Sequence, residues 1–281
     1  MAAVKTPIRL LAVDIDGTLL DAASELPAAN REALLRAHQQ GVEIVLVTGR
    51  RHRFALPVAG SLDFDLWLIS SNGAVTRSLS GETFHRDLLP ASTALDVCTV
   101  MDGFRKCTIL TFDLEVRGAL VVEGTDGFDP GIQRWMERNA AWIECVPRLE
   151  DSLDSDPVQL AFAGSIERMQ RAEACLQEGR FDGRITILKT RYPVRDLSIV
   201  DVLNSGCSKG HALERWAAHR GLRREEVMAI GDNYNDIEML EFAGVPVVMG
   251  NADAELKQSG WATTLSNEQD GVAAAVREFI G

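Results

Sequence analysis

The chain has 281 residues, long for one domain at roughly 100 to 200 residues each, so two domains are expected. With 46% apolar and 25% charged residues it reads as a globular protein with material for a full core, and 41 acidic against 29 basic residues leave a net charge of −12. That balance argues against nucleic acid or an anionic membrane as main partner, since either wants a basic face. Five scattered cysteines without a C-x-x-C pair read as reduced thiols rather than a disulfide framework or zinc site. No cleavable leader and no run of 18 apolar residues is recognisable, so a cytoplasmic location is expected.

In chain order, the first strong signal is IRLLAVDIDGTLL. Its apolar run is too continuous for a strand wet on one face and predicts a strand buried on both sides of a parallel sheet. Asp14 and Asp16 stand where it ends. Residues two apart in an extended chain point to one side, so both carboxylates are expected to face one spot at the strand's carboxyl end, where open α/β sheets place ligands. Two unit charges about 4 Å apart at an effective dielectric near 20 repel by roughly 4 kcal/mol. Either a cation sits there or one carboxyl holds a proton, and both states suit phosphoryl transfer. A lone D-x-D is equally the start of a loop.

Residues 27–40 predict a helix, with Pro in the first turn and Gly41 just past the end. Residues 42–47 form a second apolar run ending in Thr48, Gly49 and Arg50. A hydroxyl and backbone N–H groups there can bind a phosphoryl oxygen, and Arg50 could reach substrate, although it reads rather as a solvated arginine. A third strand, residues 66–70, ends in Ser71-Asn72-Gly73. Beyond it a hairpin turns at Ser80-Gly81. Strands over 106–112, 116–122, 158–163 and 185–188, with helices over 130–140 and 166–177, then suggest a separate α+β unit. The acidic stretch 150–157 reads as an exposed loop within it.

The α/β pattern resumes near Asp196 with the apolar LSIVDVL. Ser208-Lys209-Gly210 opens a helix, and a lysine near a helix N-terminus is unfavourable by the helix dipole, which points to an anion beside it, with a solvated surface lysine as the equal alternative. The strand over 227–230 ends in Gly231-Asp232-Asn233-Tyr234-Asn235-Asp236, so carboxylates again crown a strand. Short helices over 237–243 and up to 259 alternate with strands over 245–248 and 262–265, and a helix over 271–280 closes the chain.

The order D-I-D-G-T, T-G-R, S-K-G and G-D-N-Y-N-D resembles the four sequential motifs of the haloacid dehalogenase superfamily. The large insert, with S-N-G-A at Ser71, V-M-G-N-A at Val248 and D-G-V-A at Asp270, looks like its Cof-type phosphatases. The resemblance implies an α/β fold: a Rossmann-like parallel-sheet core of residues 1–80 and 192–281, with an inserted α+β cap domain of residues 81–191 that selects the substrate. It makes Asp14 the nucleophile of an aspartyl-phosphate intermediate and Asp16 the general acid and base. Mg²⁺ would be held by Asp14, by Asp232 and by the backbone carbonyl of Asp16, with Asp236 in the outer shell. Thr48, Gly49, Lys209 and Asn235 would bind the phosphoryl group.

The function implied is Mg²⁺-dependent hydrolysis of phosphate monoesters of small metabolites, with a small phosphorylated metabolite as partner. The physics agrees, because a repulsion of about 4 kcal/mol between carboxylate and phosphate is nearly a thousandfold in rate, and a divalent cation with Lys209 offsets it. Two other readings stay open: a phosphomannomutase-like phosphotransferase, and a phosphate-binding or phosphoacceptor regulator. Arg117, Glu123 and Arg191 are candidates for substrate selection within the insert. Oligomeric state is not written in the sequence.

Overall fold

Buried on all five of its residues, β1 (Leu10–Asp14) is the axis of the molecule's larger sheet. Its alternation serves two layers at once: Leu11 and Val13 face one apolar cluster, Leu10 and Ala12 the other. Truncating either leucine to alanine would cost about 2–5 kcal/mol, since both sit at zero exposure. The computed structural model describes residues 6–178 and 180–281. After β1 come α1 (Ala28–Gln39), β2 (Glu43–Val47), α2 (His52–Gly60) and β3 (Trp67–Ser70). The hairpin of β4 (Val75–Ser78) and β5 (Thr83–Arg86) then runs antiparallel to β3 at the sheet's edge. Helix α2 has no counterpart among the expected elements, because Pro57 within it reads as a helix breaker.

The segment Asp87–Cys207 is a unit of its own. It contains α3 (Ala91–Val100), β6 (Thr108–Thr111), β7 (Leu120–Val122), α4 (Pro130–Arg138), β8 (Ile143–Cys145), β9 (Gln159–Gly164), α5 (Ile166–Leu176), β10 (Ile185–Tyr192) and β11 (Leu197–Asn204). Its six strands pair in the order β10-β11-β9-β6-β7-β8. Helix α3 was not among the expected elements either, although Ala94, Val97 and Cys98 are buried at helical spacing. The expected exposed loop at 150–157 is anchored at its start: Leu149 is buried and Glu150 pairs with Arg105.

The rest of the chain rejoins the first unit: α6 (Lys209–His219), β12 (Val227–Gly231), α7 (Ile237–Phe242), β13 (Val245–Val248), α8 (Ala254–Lys257), β14 (Ala262–Thr263) and α9 (Gly271–Phe279). The eight strands run β14-β13-β12-β1-β2-β3-β4-β5, parallel from β14 to β3. Apolar residues of α1, α2 and α9 cover one face, and those of α6 and α7 the other. This is the α/β fold expected, a parallel-rich sheet with helices on both faces.

The two compact units part at Asp87 and Cys207, whereas the motifs suggested 81 and 191. Two corrections follow. The stretch 81–86 is the returning strand of a hairpin on the larger sheet. LSIVDVL, read as the core resuming, lies between β10 and β9 in the smaller sheet and is antiparallel to both. An apolar run signals a buried strand but carries no label for the sheet that buries it. Among the described residues no helix is long and apolar enough to cross a membrane.

Candidate active site

At the carboxyl ends of β1 and β12 the chain gathers three aspartates around one lysine. Lys209 is the first residue of α6, whose cap Ser208 accepts a hydrogen bond from the His211 N–H at 3.2 Å. Only 1% exposed, its ammonium donates to Asp14 Oδ1 at 2.6 Å and to Asp236 Oδ1 at 2.7 Å. The anion expected beside this lysine is therefore a pair of the chain's own carboxylates. Burial works to strip the proton from Lys209, but Asp14 and Asp236 outweigh it and raise its pKa above the ordinary value. Burial likewise pushes the Asp14 carboxyl up to about 7, against the pull of Lys209 and with the push of Asp236. Asp232 keeps part of its surface open, yet desolvation and the charges of Asp14 and Asp236 raise it well above the usual carboxylate range.

The loop after β12 is folded by its own last residue. Asp236 Oδ2 accepts the N–H groups of Asp232 and Asn233, both at 3.0 Å, which turns the Asp232 side chain toward the end of β1. There the Thr18 hydroxyl donates to Asp232 Oδ1 at 3.0 Å. Gly17 has to be glycine: its φ is +84°, and a Cβ would lie 2.4 Å from Asp232 Oδ2. Asn251 completes the clamp, donating to the Gly17 carbonyl at 2.8 Å and accepting from the Asn267 N–H at 3.0 Å.

Asp16 is not part of this cluster. Regular strand geometry stops at Asp14, and the N–H groups of Leu19 and Leu20 turn back onto the Ile15 carbonyl. The period of two that would aim both carboxylates at one spot therefore ends before Asp16. Its carboxylate instead meets Arg50, whose Nε and Nη2 reach it at 2.7 and 2.5 Å. Arg50, expected to be solvated, is a forked partner with its side chain 26% exposed.

The other expected phosphate ligands meet at a residue sequence reasoning passed over. Asn72 sits in the left-handed region at φ 55°. Its N–H donates to the Thr48 carbonyl at 3.0 Å, and its side-chain oxygen accepts from Asn235 Nδ2 at 3.0 Å. Gly49 packs on the same amide, with a Cβ position 3.1 Å from Asn72 Oδ1. The Thr48 hydroxyl accepts the Arg50 N–H at 3.1 Å. Gly73 lets this turn approach α6 so closely that a Cβ would lie 2.1 Å from the Ser208 carbonyl. The available signal was an asparagine before a glycine at a strand end, a pattern suited to positive φ. Of the residues proposed to select substrate, Glu123 is taken up elsewhere, accepting from Arg105 at 2.9 Å and from the Leu149 N–H at 3.0 Å.

The donor set suits a divalent cation. Asp14, Asp232 and Asp236 each offer a carboxylate oxygen, and these lie within 4.8 Å of one another. Mg²⁺ takes six oxygens at about 2.0–2.1 Å, often keeping waters, so one or two carboxylates suffice. Both oxygens of Asp236 already accept hydrogen bonds, so Asp14 and Asp232 are the two of this set that could hold such a cation directly. Three carboxylates against one ammonium leave a buried excess of negative charge, and a dication removes it.

A strand-end cluster of aspartates around a buried lysine on a parallel α/β sheet is a site suited to a divalent cation and an anionic ligand. The family model described as haloacid dehalogenase-like hydrolase matches residues 11–276, and the chain belongs to that family, as its motifs implied. Among curated relatives, phosphatase YwpJ of Bacillus subtilis is 27% identical over 97% of this chain and 100% of its own length. Pyridoxal phosphate phosphatase YbhA of Escherichia coli is 28% identical over 97% of this chain and 98% of its own. A crystal structure of a haloacid dehalogenase-like hydrolase from Bacteroides thetaiotaomicron is 29% identical, covers 96% of this chain and 99% of its own, and superposes with a TM-score of 0.77.

Proposed function

We propose that the protein is a Mg²⁺-dependent phosphatase of small phosphorylated metabolites, working through an aspartyl-phosphate on Asp14. The observation that carries this is the buried Lys209 ammonium bridging Asp14 and Asp236 beside Asp232, a cluster left with excess negative charge. The family and the phosphatases named among its relatives support the same reading.

In this mechanism an oxygen of Asp14 attacks phosphorus while Lys209 holds the other side of the carboxylate in line. The ester oxygen leaves with a proton from Asp16, and a water then attacks the aspartyl-phosphate, giving its proton to Asp16 and releasing inorganic phosphate. When bound, Mg²⁺ supplies positive charge against the phosphoryl oxygens, with Asp14, Asp232 and the Asp16 carbonyl as its holders and Asp236 in the outer shell. Thr48, Gly49, Lys209 and Asn235 bind phosphoryl oxygens, and Asn72 sets the direction of Asn235. The fork from Arg50 fixes the orientation of the ionised Asp16 carboxylate and has to open for Asp16 to carry the proton that it delivers. The unit Asp87–Cys207 chooses the alcohol part of the ester.

A panel of phosphate monoesters assayed with Mg²⁺ tests the reading. Phosphate release is expected for at least one ester, and Asp14→Asn lowers it by at least about a thousandfold, since a covalent route has lost its nucleophile. Retention of most activity by Asp14→Asn sinks the assignment. With excess sugar phosphate, an isomerised ester formed with little free phosphate identifies a mutase instead.

A further inference from the structure

A cavity of about 580 Å³ lies at the end of the larger sheet away from Asp14, and no step above uses it. There β2 begins at Glu43, β3 begins at Trp67 and β4 finishes at Ser78, all three in its lining. The Asp14 cluster stands at the opposite, carboxyl ends of the parallel strands, roughly 13 Å away along β2. Every residue of the lining belongs to the first unit. The volume falls within the roughly 300–1,000 Å³ of small-molecule sites.

The walls are apolar and the mouth is acidic. Ile44, Leu66 and Leu79 line it beside the half-buried indole of Trp67, which packs on Trp216 at 4.6 Å. Each guanidinium in the lining already has a carboxylate: Arg220 Nε donates to Glu43 at 2.7 Å, and Arg9 Nη1 donates to Glu226 at 3.4 Å. Glu43 is used on both oxygens, since the other accepts the Trp216 indole N–H at 2.9 Å. Asp65 and Glu82 are different. Both are exposed in the lining, and among the described residues neither carboxylate has a hydrogen bond or an ion pair. Backbone pairing sets them at the same end of the sheet: Trp67, two residues after Asp65, opposes Ser78, whose N–H donates to the Glu82 carbonyl at 2.9 Å.

We propose that this cavity is a second ligand site, separate from the Asp14 cluster, for an aliphatic diamine or polyamine. Its methylene chain lies along the apolar wall and its ammonium groups meet Asp65 and Glu82. The two unanswered carboxylates select the sign of the ligand, because an anion would meet like charge. The wall selects the body. Exposed ion pairs alone contribute little, whereas each fully buried methylene raises affinity about fourfold. Nothing in this site depends on phosphatase activity.

Calorimetric titration of the full chain with α,ω-diamines in about 0.15 M salt tests the site. Pentane-1,5-diamine is expected to bind one equivalent with a Kd of about 1 mM or tighter, at least about tenfold more tightly than ethane-1,2-diamine. Asp65→Asn together with Glu82→Gln should weaken it by about fivefold or more. Glu137→Gln together with Glu178→Gln removes the same charge from exposed acids outside the cavity and should weaken it by less than about twofold. Equal affinity for the two diamines would show that no apolar wall is engaged and overturns the site. Equal weakening by the two pairs of substitutions would mark attraction to the protein's overall negative charge and overturns it as well. So does titration without saturation at about ten times the expected Kd.

Discussion

In the first unit one ammonium, Lys209, stands among three carboxylates; in the second one guanidinium, Arg105, also meets three, Asp102, Glu123 and Glu150. Arg148 adds a second guanidinium at 3.4 Å from Glu150, and the outcome is opposite. Asp14 is pushed up to about 7 by burial, whereas hydrogen bonds from Arg105 hold Glu150 down at about 2. The difference lies in depth and shape. Lys209, Asp14 and Asp236 have side chains 2%, 6% and 0% exposed, while Asp102 is 77% exposed at the open edge of its cluster. Arg105 meets Glu150 with two parallel N–H groups, a match that a point-like ammonium cannot make. Charges arranged for stability are satisfied within the chain; those around Lys209 are left to be satisfied by something that binds.

Three measurements can break or sharpen that contrast. The largest effect is expected from Arg105→Met, which leaves Glu123 and Glu150 without their fork and destabilises the second unit by about 3 kcal/mol in urea unfolding. A change within about 0.5 kcal/mol, the range of ordinary surface substitutions, would show that the cluster is not structural. Next comes the cation. Mg²⁺ at a hundredfold excess over its Kd should stabilise the protein by about 2.7 kcal/mol, raising Tm by about 5 °C or more, and Asp232→Asn should remove most of that shift. An equal shift in both proteins would place the cation elsewhere.

The third measurement is a pH response of opposite sign in the two units of the metal-free protein. Asp14 has a folded pKa near 7 against an ordinary 3.8, so the stability linked to its proton is full below 3.8 and is lost as pH rises through 7. Glu150, near 2 against an ordinary 4.5, gives stability that is full above 4.5 and is lost as pH falls through 2. After allowance for solvent screening the Glu150 effect is about 2 kcal/mol. Hydrogen exchange followed separately in the two units should show the first loosening between pH 5 and 8 and the second only under acid, with these pH values set by the two groups' midpoints to within about one unit. Both units moving in the same direction would remove the contrast.

Much of the site was legible in the sequence because each of its main residues follows a local signal. Asp14, Thr48 and Asp232 each follow a run of apolar residues that has to be a buried strand, and Lys209 follows a serine suited to cap a helix. Such signals depend on neighbours a few positions away, and they determined most strands and helices, the fold class and the family, though not the short β8.

Partnerships were decided only by the tertiary structure. Lys209 meets Asp14 across 195 positions and Asn235 meets Asn72 across 163, distances over which no periodicity speaks. Asp16 left the carboxylates for Arg50 because the chain turns one residue after Asp14. LSIVDVL joined the smaller sheet because backbone pairing with β9 and β10, invisible in an apolar run, chose its place. A chain writes the element at each position in its local pattern, but the partner of each side chain depends on where the elements come to rest.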